Sequence, residues 1–150
     1  MPEMRDRVEL MVPHGQLVVR HARCPQGCNL MNAEHPIHEY PSIHVKATYQ
    51  GRSGSIYLDP VYGRHDNIAE IEIPDGEIVE FSCPHCNTSL SDPERTCSRC
   101  SAGVFSLQLP KGGSVEACRR NGCPGHRLEI ITGEQAMQRA FDELGMDAFL

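Results

Sequence analysis

Apolar and polar residues alternate along much of the chain, and the period lengthens only near its end. Over 42–49 the alternation places Ile43, Val45, Ala47 and Tyr49 on one face, which predicts a half-buried strand. Gly51-Arg52-Ser53-Gly54 then predicts a turn into a second strand, Ser55-Ile56-Tyr57-Leu58. The pattern returns over 70–73 and again over 77–81, with Pro74-Asp75-Gly76 as the turn between them. Strand-like segments also cover 16–21, 104–109, 114–117 and 127–131, with a turn at Lys111-Gly112-Gly113. The segment 8–12 reads as a short helix or strand. After Thr132 the apolar positions Ala136, Met137, Ala140, Phe141 and Leu144 fall on one helical stripe. Thr132 and Gln135 form a capping pair, and Gly145 is placed to end that helix.

These elements have little with which to build a core. Aromatic residues make up 5% of the 150 residues and tryptophan is absent, so a metal or disulfide staple is expected. Eight cysteines supply one. The amino terminus is charged and shows no signal-peptide run, and no stretch approaches the about 18 apolar residues of a membrane span. A cytoplasmic setting is therefore expected, where paired cysteines more often hold metals than form disulfides.

The cysteines form four short knuckles: Cys24–Cys28, Cys83–Cys86, Cys97–Cys100 and Cys118–Cys123. Thiolates at this spacing reach one metal from a single turn. Cys83, Cys86, Cys97 and Cys100 read C-x2-C-x10-C-x2-C and form the expected inner site. The remainder, Cys24, Cys28, Cys118 and Cys123, form the expected outer site by arithmetic of pairs. His126 follows Cys123 at a C-x2-H spacing and is an alternative ligand there. His85 lies inside the second knuckle, where a side chain points to solvent, and the other histidines, His38 among them, are scattered without ligand spacing. Asp59-Pro60-Val61-Tyr62-Gly63 reads as a turn with no assignable chemistry, and no repeat is legible beyond the knuckles.

The inner quartet resembles the zinc-ribbon superfamily and its rubredoxin-like knuckle pair over about residues 83–109. That resemblance implies zinc, or iron as an alternative at the inner site, and a hairpin after the second pair. The expected fold is mainly β, a small α+β unit of zinc-ribbon hairpins, a small antiparallel sheet and one C-terminal helix. Residues 1–150 are expected to form a single compact unit, with an inner ribbon at 83–117, an inserted β region at 29–82 and the helix at 132–150.

Charge narrows the function. The chain carries −6 overall, with −6 over 29–82 and +3 over 83–127. An acidic chain is poorly suited to gripping phosphate backbones, although Arg99, Arg119 and Arg120 are candidate nucleic-acid contacts. Two cysteine-closed zinc ions leave no open coordination position, and no nucleophile–base pair or phosphate loop is visible. The expectation is an adaptor or accessory subunit that binds another protein. Transcription-factor-type nucleic-acid binding is the alternative, ahead of a redox protein or small metalloenzyme. No membrane partner is expected.

Overall fold

The computed structural model describes residues 8–9, 17–110, 112–130 and 148–149. In chain order the strands are β1 (Val8–Glu9), β2 (Leu17–Val18), β3 (Met31–Ile37), β4 (Tyr40–Tyr49), β5 (Arg52–Leu58) and β6 (Ile68–Ala69). They continue with β7 (Glu80–Ser82), β8 (Ser91–Thr96), β9 (Gly103–Gln108), β10 (Ser114–Cys118), β11 (His126–Ile130) and β12 (Ala148–Phe149). There is no helix among the described residues. Most of the expected helix lies outside them. Within the 132–150 segment, however, Ala148–Phe149 is a strand that pairs in parallel with Leu17–Val18.

One sheet runs β1-β11-β10-β9-β8 and another β3-β4-β5-β6, with β7 added alongside β4. The strand at 42–49 is as the alternation predicts: Ile43, Val45 and Ala47 are buried. Its turn is tighter than expected, because Tyr49 pairs with Arg52 around Gln50-Gly51, both at positive φ. The strand expected at 70–73 does not form. Glu70 N–H still donates to Ser55 O at 2.9 Å, but pairing with β5 ends at Ala69. Ile71 instead packs over Gly54, where an added Cβ would meet its side chain at 3.0 Å.

The main core is shared between the two sheets. Ile43, Val45 and Ile56 from the β3-β4-β5-β6 sheet share it with Phe105, Leu107 and Val115 from the other sheet, and the Phe81 ring lies tilted by 31° against that of Phe105, 4.1 Å between centroids. This arrangement is an internal repeat, contrary to the sequence reading. Met31 pairs with Ile43 and Ser91 with Phe105. Both first strands are irregular at the same place, where Asn32 Oδ1 accepts the Glu34 amide and Asp92 Oδ1 accepts the Glu94 amide. The two hairpins, β3–β4 in the first half of the repeat and β8–β9 in the second, then close differently. His38 and Glu39 turn β3 into β4, whereas Cys97 to Ala102 fill that position between β8 and β9.

Candidate metal centres

The repeat decides which cysteines meet. Arg23, just before the first knuckle, exchanges backbone hydrogen bonds with Gln108 in β9. Ser82, just before the second knuckle, pairs with Lys46 in β4. These reciprocal contacts bring the two equivalent knuckles together, and Cys24, Cys28, Cys83 and Cys86 form one cluster. The third knuckle stands at the far end of β8, where it meets the fourth: Cys97, Cys100, Cys118 and Cys123 form the other.

The pairing expected from spacing is therefore corrected. Cys83–Cys86 and Cys97–Cys100 flank a six-residue strand, which spans about 20 Å when extended. Ligands held at the two ends of a strand cannot share one ion. The inner quartet is divided between the two clusters, and so is the outer one.

Each cluster can hold a metal ion. Sulfur–sulfur separations are 3.7 Å for Cys24–Cys86, 3.8 Å for Cys97–Cys123 and 3.4 Å for Cys100–Cys118. A tetrahedral ion with metal–sulfur bonds of about 2.3 Å needs edges of about 3.8 Å. No cysteine is engaged in a disulfide. Backbone amides point at the sulfurs: Gln26 and Cys28 at Cys24 Sγ, His85 at Cys83 Sγ, Arg99 at Cys97 Sγ and Arg120 at Cys118 Sγ, all at 3.3–3.4 Å. Such donors offset the charge that four thiolates leave after a divalent ion is bound.

Proton affinities within each cluster are split. Hydrogen bonding to Thr88 brings Cys86 down to about 6, and the Ala102 amide together with Arg120 brings Cys100 to about 6. Hydrogen bonding to Cys24 pushes Cys28 up to about 12, while burial raises Cys83 and Cys118. Cys86 and Cys100 therefore give up their protons most readily, and a metal must displace those held by the raised thiols Cys28, Cys83 and Cys118.

Other sequence candidates are placed as follows. His126 opens β11, and its side chain lies outside the described residues; four cysteines complete the adjoining cluster without it. His85 is exposed, as expected of a knuckle interior. Of the arginines, Arg119 is turned inward onto Val79 O and Glu80, and Arg120 donates to Gly76 O and lies against Cys100. Arg99 is exposed. No helix among the described residues is long and apolar enough to cross a membrane.

A third group escaped the sequence reading: His38, Asp59 and Asp66 present ligand atoms within 4.8 Å of one another. The available signal was Gly63, four residues after Asp59 as Gly122 is four after Cys118. Comparison finds no family model, no curated protein and no solved structure that matches the chain.

Proposed function

We propose that the chain is a zinc-binding protein whose two four-cysteine sites are structural and whose task is to bind another protein, as an adaptor or accessory subunit in a reducing compartment. The observation that carries this reading is the composition of the sites: each ion would be ligated by four cysteines, with no position left for water or substrate. Four thiolates with amide donors suit zinc and iron alike, and zinc is favoured because redox chemistry has no further support in the chain. The relation to zinc ribbons is of the same standing, resting on hairpins that follow paired knuckles.

Protein binding is favoured over nucleic acid by the arginines. Arg119 and Arg120 spend their donors on backbone carbonyls and on Glu80, so they offer little to a phosphate backbone. Apolar surface is present instead at Ile68 and Ile78, which are 48% and 40% exposed. Two measurements test the reading. Protein purified from its native host should be colourless and contain two zinc ions per chain; a red iron chromophore would move the reading to electron transfer. Titration against mixed single- and double-stranded oligonucleotides at low salt should show no tight binding. Salt-sensitive binding lost on Arg99→Ala would replace the adaptor with a nucleic-acid binder.

A further inference from the structure

The equivalence between the two halves extends past their third strands. Leu58 pairs with Ile43 and Ala117 with Phe105, so Asp59 stands where Cys118 stands. The following residues make matching bonds to an earlier segment. Val19 N–H donates to Pro60 O at 2.8 Å and Val79 N–H to Arg119 O at 2.9 Å; Tyr62 N–H donates to Leu17 O and Asn121 N–H to Glu77 O, both at 2.8 Å. A glycine at positive φ comes next, Gly63 at 91° and Gly122 at 90°. The turns then close through Arg64 N–H to Val61 O at 3.1 Å and Cys123 N–H to Arg120 O at 3.2 Å. Even the first side chain accepts the same amide: Val61 N–H reaches Asp59 Oδ1 at 2.9 Å, as Arg120 N–H reaches Cys118 Sγ. Residues 59–64 are therefore a metal knuckle in backbone form, with an aspartate in the first ligand position.

The opposite wall of this position is also equivalent. In the second half it is the Cys97–Cys100 knuckle, at the end of the β8–β9 hairpin; in the first half it is the β3–β4 turn, which carries His38. His38 Nε2 lies 2.9 Å from Asp59 Oδ2 and 2.9 Å from Asp66 Oδ2. One imidazole nitrogen carries at most one proton, so it makes one strong hydrogen bond, yet two carboxylates converge on it. The Asp59 side chain is fully buried and Asp66 is 60% exposed, so the group reaches from the interior to solvent. Separations of 2.9 Å match the edge of an octahedron with metal–ligand bonds of about 2.1 Å.

The geometry points to a third cation site in the first half, formed by His38 Nε2, Asp59 Oδ2 and Asp66 Oδ2. One imidazole and two carboxylates take a divalent ion of the manganese, iron or zinc class. Three protein ligands leave coordination positions open, which the four-cysteine sites do not. Asp59 and Arg64 also line a cavity of about 160 Å³ that borders Cys118 and Cys123, so a small ligand has room beside the site. Arg64 occupies the position of Cys123, and its Nη2 lies 3.3 Å from Asp66 Oδ2. Its charge competes with the cation for that carboxylate.

The test uses the full chain with both cysteine sites loaded with zinc, titrated with Mn²⁺ and followed by the electron paramagnetic signal of the free ion. Manganese is too hard a cation to displace zinc from thiolates. The expected result is one Mn²⁺ taken up per chain, weakened about tenfold or more by Asp59→Asn and by Asp66→Asn, and tightened by Arg64→Ala. Asp66 is largely exposed, so its variant separates ligand loss from misfolding. No uptake by the zinc-loaded protein, or uptake indifferent to both aspartate variants, would leave the cluster as ion pairs alone and overturn the assignment.

Discussion

Arg119 joins the fourth knuckle to Glu80 at the start of β7: its Nη2 lies 2.8 Å from Glu80 Oε2, and its Nε donates to Val79 O at 2.9 Å. The two bonds are unequal in worth. Glu80 is 45% exposed at its side chain, where an ion pair contributes little, whereas Val79 is buried and its carbonyl needs partners. Arg119→Ala should lower the stability of the zinc-loaded protein by about 1–3 kcal/mol. Arg119→Lys should recover only part of it, because an ammonium lacks the planar fork that reaches both acceptors. Denaturant melts of the three proteins check this, and an Arg119→Ala protein as stable as the parent would contradict it.

The cysteine pairing can be read from zinc content. Cys24 and Cys83 belong to one cluster in the structure but to two different sites in the pairing that spacing suggests. The double variant Cys24→Ser with Cys83→Ser should therefore keep one zinc per chain. Under the spacing-based pairing it would damage both sites and keep none. Elemental analysis of the purified variant distinguishes these outcomes, and His126→Ala measured beside it should retain both ions.

What could be read from the sequence follows from what each signal encodes. Knuckle spacing is a local property of a turn, so all eight cysteines were legible, whereas their pairing depends on which strand ends lie together. The alternation of Ile43, Val45 and Ala47 marked β4 because one face of it is buried. β3 and β8 gave no such signal: they run partly exposed, carry Pro36 and Pro93, and are irregular in register. The repeat was hidden because packing constrains the shared volume rather than each residue. Ala22 is matched by Phe81, Ile43 by Phe105 and Val45 by Leu107; what persists is Cys-Pro, the valines Val19 and Val79, the leucines Leu30 and Leu90, the Asn32/Asp92 pair with its following glutamate, and the glycines Gly63 and Gly122. Asp59 was passed over for the same reason, since its likeness to Cys118 lies in backbone bonds and not in residue type.

His44 gives a prediction for pH. Its ring stacks on Tyr57 at 4.9 Å, meets His85 edge-on at 6.5 Å, and has Nε2 2.8 Å from Ser55 Oγ. Burial lowers its proton affinity below the ordinary imidazole value of 6.5; His85 adds to this, Glu70 opposes it, and His35 adds a smaller lowering. The unfolded chain then binds this proton more readily than the folded one. The associated stability is present above 6.5 and is lost as pH falls through that value towards the folded pKa. Both the parent and His44→Gln keep the eight thiols, so their difference isolates the histidine. The parent should lose more stability than His44→Gln between about pH 7.5 and 5.5. Parallel stability profiles would rule out a contribution from His44.

Gly125 tests the second cluster alone. Its carbonyl accepts the Cys118 amide at 2.9 Å, which fixes the chain there. A Cβ added at this position would lie 2.5 Å from Cys97 Sγ, with Cys123 Sγ and Arg99 Cδ both 3.6 Å away. That contact is far inside van der Waals distance. Cys97 cannot easily withdraw, because its sulfur is held by the Arg99 amide at 3.4 Å and its backbone by Ala102. Metal–ligand distances tolerate shifts of only about 0.2 Å, so the displaced sulfur should no longer close a tetrahedron. Gly125→Ala is therefore expected to lose one of two zinc ions while the cluster of Cys24, Cys28, Cys83 and Cys86 keeps its own. Gly27→Ala is the control: nothing lies within 4 Å of its added Cβ, and only its φ of 94° opposes the change. That variant should lose about 1–2 kcal/mol of stability and no metal. If Gly125→Ala retained both zinc ions at unchanged affinity, the close packing of this glycine against Cys97 would not be a requirement of the site.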